Sequence, residues 1–377
     1  MVGRTRKAAA TILAAFLFMP LAQAEEGDYQ SEYALYVAAI EAGDRQAAAS
    51  HGLAAWRAAE DALGDDAYTA ILAYNYGQFV LFSDAPSAAE ALRRANALQE
   101  AGIADLPVSH LRVYLAYAEF EVEGGSRPLA RELQDALLAL EGEGAAPSAN
   151  LTFMWMALTG YYNEQERYEE TLESARKAEA YIEVTAPDNY PLKATMILLQ
   201  GEAQLIPFPR TIEDIRAAYD AFIRARALFP PQEDIENFDE TMARIMAWDL
   251  VARAAAASME EPLLIKYERI DEVLPWAYFK TPQKSDEECE IAWKKRKPPR
   301  YPETPLWEGF IGGVVIGYHL GDDALVHDAR ILAEVPEAAF GKAALESMKD
   351  WRLAAPALND PACRRNRIVD FIFIIKD

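Results

Sequence analysis

The strongest constraint on this 377-residue chain is a run of helix-forming segments in which one small residue returns at nearly even intervals. From Tyr29 onward the sequence is rich in Ala, Leu, Glu and Arg. Apolar residues recur three and four apart, with short Gly, Pro or Asp breaks between runs. That period places one apolar stripe on each of a succession of amphipathic helices. The pattern predicts helices over Tyr29–Ala42, Arg45–Leu63, Asp66–Phe82, Ser87–Ala101, Ser109–Val122, Pro128–Leu140, Ala149–Asn163, Tyr168–Ile182, Pro191–Leu205, Ile212–Leu228 and Ile235–Ala257. With connections this short, neighbouring helices fold back on one another as hairpins, closed by a last unpaired helix.

Trp155, Leu158, Thr159, Tyr162, Tyr168, Thr171, Ala175 and Ala178 carry the large and small positions of a helical hairpin. In this they resemble a tetratricopeptide repeat, with Thr159 where that family prefers Gly and Gly160 beside it. Ala218, Phe222, Ala225 and Pro230 repeat the second-helix half, and Ala88, Leu92 and Ala95 after Gly77 give a weaker copy. Corresponding second-helix positions fall at Ala48, Ala88, Ala130, Thr171 and Ala218, in steps of 40, 42, 41 and 47 residues. These exceed the roughly 34 residues of the family, so the helices or loops are longer. Small residues let the two helices of a hairpin approach, and Trp, Tyr, Phe and Leu fill the spaces between hairpins. The expected product is an α-solenoid whose inner face either binds a peptide or protein or serves only as a spacer.

Residues 1–24 have the order of a secretory signal: basic Arg4, Arg6 and Lys7, an apolar run from Ala8 to Met19, and the small residues Ala22-Gln23-Ala24. The run is about a dozen residues, short of the roughly 20 a spanning helix needs, so cleavage after Ala24 and export to a Gram-negative-type periplasm are expected. Losing those three cations from 37 leaves 34 against 60 acidic residues. So acidic a surface disfavours nucleic acid, and contact with anionic lipid is expected to be indirect at most. Two cysteines, Cys289 and Cys363, lie near the C-terminus. In an oxidising compartment an even pair points to a disulfide, the alternative being two buried thiols.

Between Pro262 and Pro299 helix formers thin out, and a boundary is expected there: a helical repeat domain over 25–260, a linker over 261–299 and a separate domain over 300–377. The alternation at Cys289-Glu290-Ile291-Ala292-Trp293 marks a possible extra strand. Lys294, Lys295, Arg296, Lys297 and Arg300 form either a contact for an acidic partner or a solvated linker. The last part reads strand, strand, helix, strand. Gly313–Leu320 alternates with Val314, Ile316, Tyr318 and Leu320 on one side, Gly321-Asp322-Asp323-Ala324 turns the chain, and Leu325–Ala333 returns it. Pro336 opens a helix whose Phe340, Ala344, Met348 and Trp351 make one stripe. Arg367–Lys376 is the strongest strand, with Val369, Phe371, Phe373 and Ile375 on one face. The opposite face, with Ile368, Ile372 and Ile374 around Asp370, is too apolar for solvent and calls for a cover: the Cys289 segment, the solenoid or a second copy.

In order and spacing this stretch resembles the TonB C-terminal domain. The matches are Arg300-Tyr301-Pro302, Gly312 to Tyr318, Val326 and Ile331, Pro336 and Phe340, Ala343-Ala344-Leu345, Trp351-Arg352 and the aromatic last strand. Ala324 stands where that family usually has Gly, and Leu353 where an aromatic is common. The resemblance implies a small α+β (ββαβ) domain that recognises proteins by β-strand addition. Its partner would be an outer-membrane TonB-dependent receptor or another periplasmic protein, with Arg300, Tyr301, Pro302, Arg367, Val369, Phe371 and Phe373 at the contact. The overall fold class expected is a multidomain helical solenoid followed by that domain, and a homodimer is a further expected association.

The sequence has no phosphate-cradling Gly loop, no zinc-spaced Cys/His set and no nucleophile motif. His51, His110, His319 and His327 are scattered, although the last two fall on adjacent predicted strands. Neither enzymatic activity nor a metal or cofactor is expected. Two classes remain, a TonB-like transducer or accessory and a soluble periplasmic scaffold. Intact-mass measurement of the protein from cells checks the export reading: the expected chain begins at Glu25, and one retaining Met1 in a membrane fraction contradicts it.

Overall fold

The computed structural model describes residues 28–207, 211–230, 239–258, 289, 291–303, 305, 312–336, 338–354, 361–365 and 367–373. The signal segment, most of the expected linker and the last four residues lie outside them. The chain divides into two compact units, Met1–Ala146 and Pro147–Asp377.

The first unit contains α1 (Asp28–Ala42), α2 (Arg45–Leu63), α3 (Ala67–Val80), α4 (Ala85–Glu100), α5 (Val108–Val122) and α6 (Arg127–Gly142). They pack as the hairpins α1–α2, α3–α4 and α5–α6. Aspartates start three of these helices: Asp44, Asp66 and Asp84 accept from the amides of Ala47, Tyr68 and Ser87 at 3.0, 2.8 and 3.2 Å. Pro86 had suggested a break before α4. It occupies the first turn, where its missing N–H leaves no hydrogen bond unmade, and the helix therefore starts earlier, at Ala85. Gly77 shows why small residues recur at the helix contacts, since a Cβ there would stand 2.7 Å from Leu92 Cγ.

The second unit continues with α7 (Ala149–Glu164), α8 (Tyr168–Thr185), α9 (Tyr190–Leu205), α10 (Ile212–Ala227) and α11 (Glu240–Ser258). The hairpins are α7–α8 and α9–α10, and α11 packs on α9 and α10. The five recurring small residues, Ala48, Ala88, Ala130, Thr171 and Ala218, are all completely buried, one in each even-numbered helix from α2 to α10. Thr159 fits where Gly was expected because its hydroxyl donates to the Trp155 carbonyl at 2.8 Å, while the neighbouring Gly160 faces open space. The last helix was expected from Ile235. It begins instead at Glu240, with the Asp239 carboxylate accepting from the Met242 amide at 3.1 Å, and 235–238 lie outside the described residues. No helix among the described residues is long and apolar enough to cross a membrane.

After α11 come β1 (Trp293–Lys295), β2 (Gly312–Leu320), β3 (Val326–Val335), α12 (Gly341–Met348), β4 (Arg352–Leu353), α13 (Pro361–Arg364) and β5 (Arg367–Phe373). The main sheet is antiparallel in the order β3-β2-β5, so the expected ββαβ succession is present. Pro336 does not open α12. The helix starts five residues later, where the Glu334 carboxylate accepts from the amides of Phe340 and Gly341 and ties its N-terminus to β3.

One face of the sheet, with Val314, Ile316, Tyr318, Leu320, Val369 and Phe373, closes on Phe340, Ala344, Met348 and Trp351 as their spacing requires. The other face presents Val315, Ala333 and Val335, with Ile368 and Ile372 beside them, and its cover is α11. Of the three covers considered, it is the helical array that supplies it. This explains the absence of a polar stripe on α11, where Met242, Ala243, Ile245, Met246, Ala247, Trp248, Leu250, Val251 and Ala252 are all buried. One side meets α9 and α10 and the other meets the sheet. The last helices of the repeat segment, α9 to α11, and the C-terminal sheet thus share one hydrophobic cluster within the second unit.

Two adjacent glycines make the double cover possible. A Cβ on Gly312 would lie 2.3 Å from the Phe340 ring, and one on Gly313 would lie 3.0 Å from Val251 Cγ2 and 3.3 Å from the Ala247 carbonyl oxygen. Gly313→Val is expected to lower the unfolding free energy by about 1–3 kcal/mol, the usual cost of overpacking. Gly160→Ala, on an open helix face, should raise it by up to about 1 kcal/mol. Parallel denaturant titrations check both.

Candidate functional site

The sheet has two outer strands, and they differ. Between β2 and β5 the register runs without interruption from Gly312 opposite Phe373 to Tyr318 opposite Arg367. Between β2 and β3 it shifts twice, at Val315/Ile316 and at Gly317/His319, with Asp328 in the left-handed region at φ 52°. Bulges of this kind twist an edge and spoil it as a template, whereas an even strand leaves a row of amides and carbonyls able to pair. Among the described residues no strand pairs with the outer side of β5.

The expected contact residues separate into three environments. Arg300 is exposed and Pro302 half-buried. Tyr301 packs edge-on against Phe340 and Phe373, 5.5 Å from each, so the Tyr-Pro pair anchors the entry to the domain. Val369 and Phe373 are buried, Phe373 stacking on Phe340 at 4.4 Å, and Phe371 meets Trp351 edge-on at 5.7 Å. Arg367 is also buried, with Nη1 3.9 Å from Cys289 Sγ. The side chains of Tyr301, Arg367, Val369, Phe371 and Phe373 are thus committed to the interior, and what β5 can offer a partner is its backbone edge.

Cys289 and Cys363 form a disulfide, with an S–S distance of 2.04 Å. It joins the segment before β1 to α13, immediately ahead of β5. The extra strand falls slightly later than its alternation suggested and joins a different sheet: β1 pairs with β4, Trp293 opposite Leu353 and Lys295 opposite Arg352. The basic run is in part a strand rather than a linker, and it is solvated as expected: Lys294, Lys295, Arg296, Lys297 and Arg300 are all exposed. Lys295 Nζ lies 2.9 Å from Asp350 Oδ2 and holds that carboxyl below its ordinary range, and Arg296 lies over the Trp351 ring at 4.6 Å. The Trp351 indole N–H donates to the Lys297 carbonyl at 3.0 Å. Only 261–288, of the segment expected to be a linker, remains outside the described residues with Glu290.

Ala324, in place of the family's glycine, adopts φ 64°, a left-handed conformation that a Cβ disfavours. Leu353 is buried in the small sheet and donates its amide to the Ala324 carbonyl at 3.0 Å. His319 and His327 stand opposite each other in the β2–β3 register, and His327 Nε2 is 2.8 Å from Asp323 Oδ1. Sequence reasoning missed the role of the glycine pair and left the sheet's cover open among three candidates, of which the helical array was one. The signal that could have decided it is the apolar character of α11 on two of its sides.

No family model and no curated protein matches the chain. Among solved structures, the Signal Transduction ATPase with Numerous Domains (STAND) protein with a tetratricopeptide repeat sensor, from Pyrococcus horikoshii, aligns at 14% identity with a TM-score of 0.41. The alignment covers 63% of this chain and 35% of that one. The chain thus spans about a third of that protein's length.

The disulfide closes a sequence separation of 74 residues. Replacing both cysteines by serine should cost about 4 kcal/mol by the loop-entropy relation. The check is a lower guanidinium midpoint, and the same decrease on reducing the unmodified protein.

Proposed function

We propose that the chain is an exported protein-recognition protein of the TonB type, which binds an extended segment of an outer-membrane receptor or another periplasmic protein by adding it as a strand to β5. The observation that carries this reading is the contrast between the two sheet edges. The β5 ladder is even and no described strand lies on its outer side, while β3 is bulged twice. Both sheet faces are covered, by α11 and α12, so a partner has the border and not a face to join. Main-chain hydrogen bonds would give such a partner its affinity. The tetratricopeptide-like hairpins supply a second surface for protein contacts.

A second reading, a soluble scaffold with no part in energy transduction, is favoured by the shared core of helices and sheet, which suits a fixed display platform. One experiment separates the two. A photo-crosslinking amino acid is placed at Asp370 of the full chain in cells, with Asp328 on the bulged edge as control. Adducts to the periplasmic segment of an outer-membrane receptor from position 370 alone are the expected result. Adducts only to a second copy would favour the scaffold, and equal yields from both positions, or none, would refute strand addition at β5.

A further inference from the structure

The second unit contains a cleft of about 740 Å³ that lies away from β5. Its walls come from the turn between α7 and α8, from α9 and α11, and from the end of β3. The volume is in the range of small-ligand sites, but the lining is unlike a generic apolar pocket. Five carboxylates border it, Glu164, Glu166, Glu202, Glu240 and Glu334, against the single cation Arg244 among the described lining residues.

Glu202 is the informative member. It is 2% exposed, in the last turn of α9. Its Oε1 accepts from Arg244 Nη2 and from the Trp248 indole N–H, each at 2.6 Å. No described residue donates to its Oε2, although Glu202 lines the cleft. Burial pushes this carboxyl up, and Arg244 and Trp248 pull it back. Oε2 is not sealed from solvent, so water or the donor of a ligand can reach it from the cleft.

The lining also narrows the class of donor. No group of three His, Cys, Asp or Glu among the described residues is placed to hold a metal ion, so the negative charge is spread rather than focused. Trp248 and Tyr168 line the same space, and aromatic rings attract organic cations. We infer that this cleft binds an organic polycation, with one ammonium or guanidinium group donating to Glu202 Oε2 and another near the rim carboxylates Glu166 and Glu240. The same chemistry is carried by a free polyamine and by the lysine or arginine side chains of a peptide. The site does not depend on strand addition at β5.

Calorimetric titration of the full mature chain with spermidine, and separately with the peptide acetyl-Lys-Ala-Lys-amide, tests it. Saturable binding of at least one is expected, weaker in high salt. Glu202→Gln should weaken it about tenfold or more, the loss of a charge-assisted hydrogen bond. Glu166→Gln and Glu240→Gln, at exposed positions, should each weaken it about two- to fourfold. Binding of spermidine alone identifies a free polyamine as the ligand type, and binding of the peptide alone a basic polypeptide. Should Glu202→Gln lower the melting temperature, the rim variants carry the test. Absence of saturable binding by both probes, tighter binding of calcium, or affinities unchanged in the rim variants would overturn the assignment.

Discussion

Burial of the second sheet face against α11 is the contact on which the rest of this C-terminal architecture depends. A three-stranded sheet with a single helix has one face without a cover, and Val315, Ala333, Val335, Ile368 and Ile372 make that face too apolar to meet water. α11 resolves two deficits together, because it carries apolar residues on two sides and needs a neighbour on each. The sheet and the helices from α9 to α11 consequently share one hydrophobic cluster. The close approach is fixed by Gly313, whose missing side chain lets the backbone of β2 sit against Ala247 and Val251. With α12 on the opposite face, β2 is buried on both sides, and association through the sheet is restricted to its borders.

The borders are inequivalent for a reason already present in the local backbone. Two register shifts leave β3 twisted, and its end is occupied in anchoring α12 through Glu334. β5 has neither restriction. The disulfide places a covalent tie just ahead of it, and the buried Arg367 at its first position approaches Cys289. An edge held at its start and backed by α11 presents its amides with little freedom left to lose, which is the condition under which adding a strand is least opposed by entropy.

Much of this was legible in the sequence because it depends on local periodicity. The positions Ala48, Ala88, Ala130, Thr171 and Ala218 could be aligned before any coordinates were known, since only a small side chain fits where two helices touch. The stripe from Phe340 to Trp351 and the alternation in β2 were readable for the same reason. What was not legible depends on partners distant in sequence. The lysines and arginine after Trp293 are exposed as their charge suggests, but nothing local shows that Lys295 meets Asp350 or that Arg296 lies over Trp351. The cover for Ile368 and Ile372 comes from a helix more than a hundred residues earlier. Tyr301, Val369 and Phe373 invited a contact role because aromatic and β-branched residues suit an interface and a core alike. Their burial decides for the core.

The cleft was invisible for a further reason: its five carboxylates belong to five separate elements or turns, and they form no motif. Its relation to the β5 edge follows from α11. That helix holds Arg244 and Trp248 against Glu202 at the cleft, and its other side covers Ile368 and Ile372 of β5. Any energetic coupling between a cation in the cleft and a strand at β5 would require a displacement of α11 that each ligand favours differently. The contact of Val251 and Ala247 with Gly313 opposes such a displacement, because the backbone of β2 has no side chain there to rearrange. On the proposals made above, a cation in the cleft and a strand at β5 are therefore expected to bind independently, because the packing between α11 and β2 leaves neither a displacement to favour.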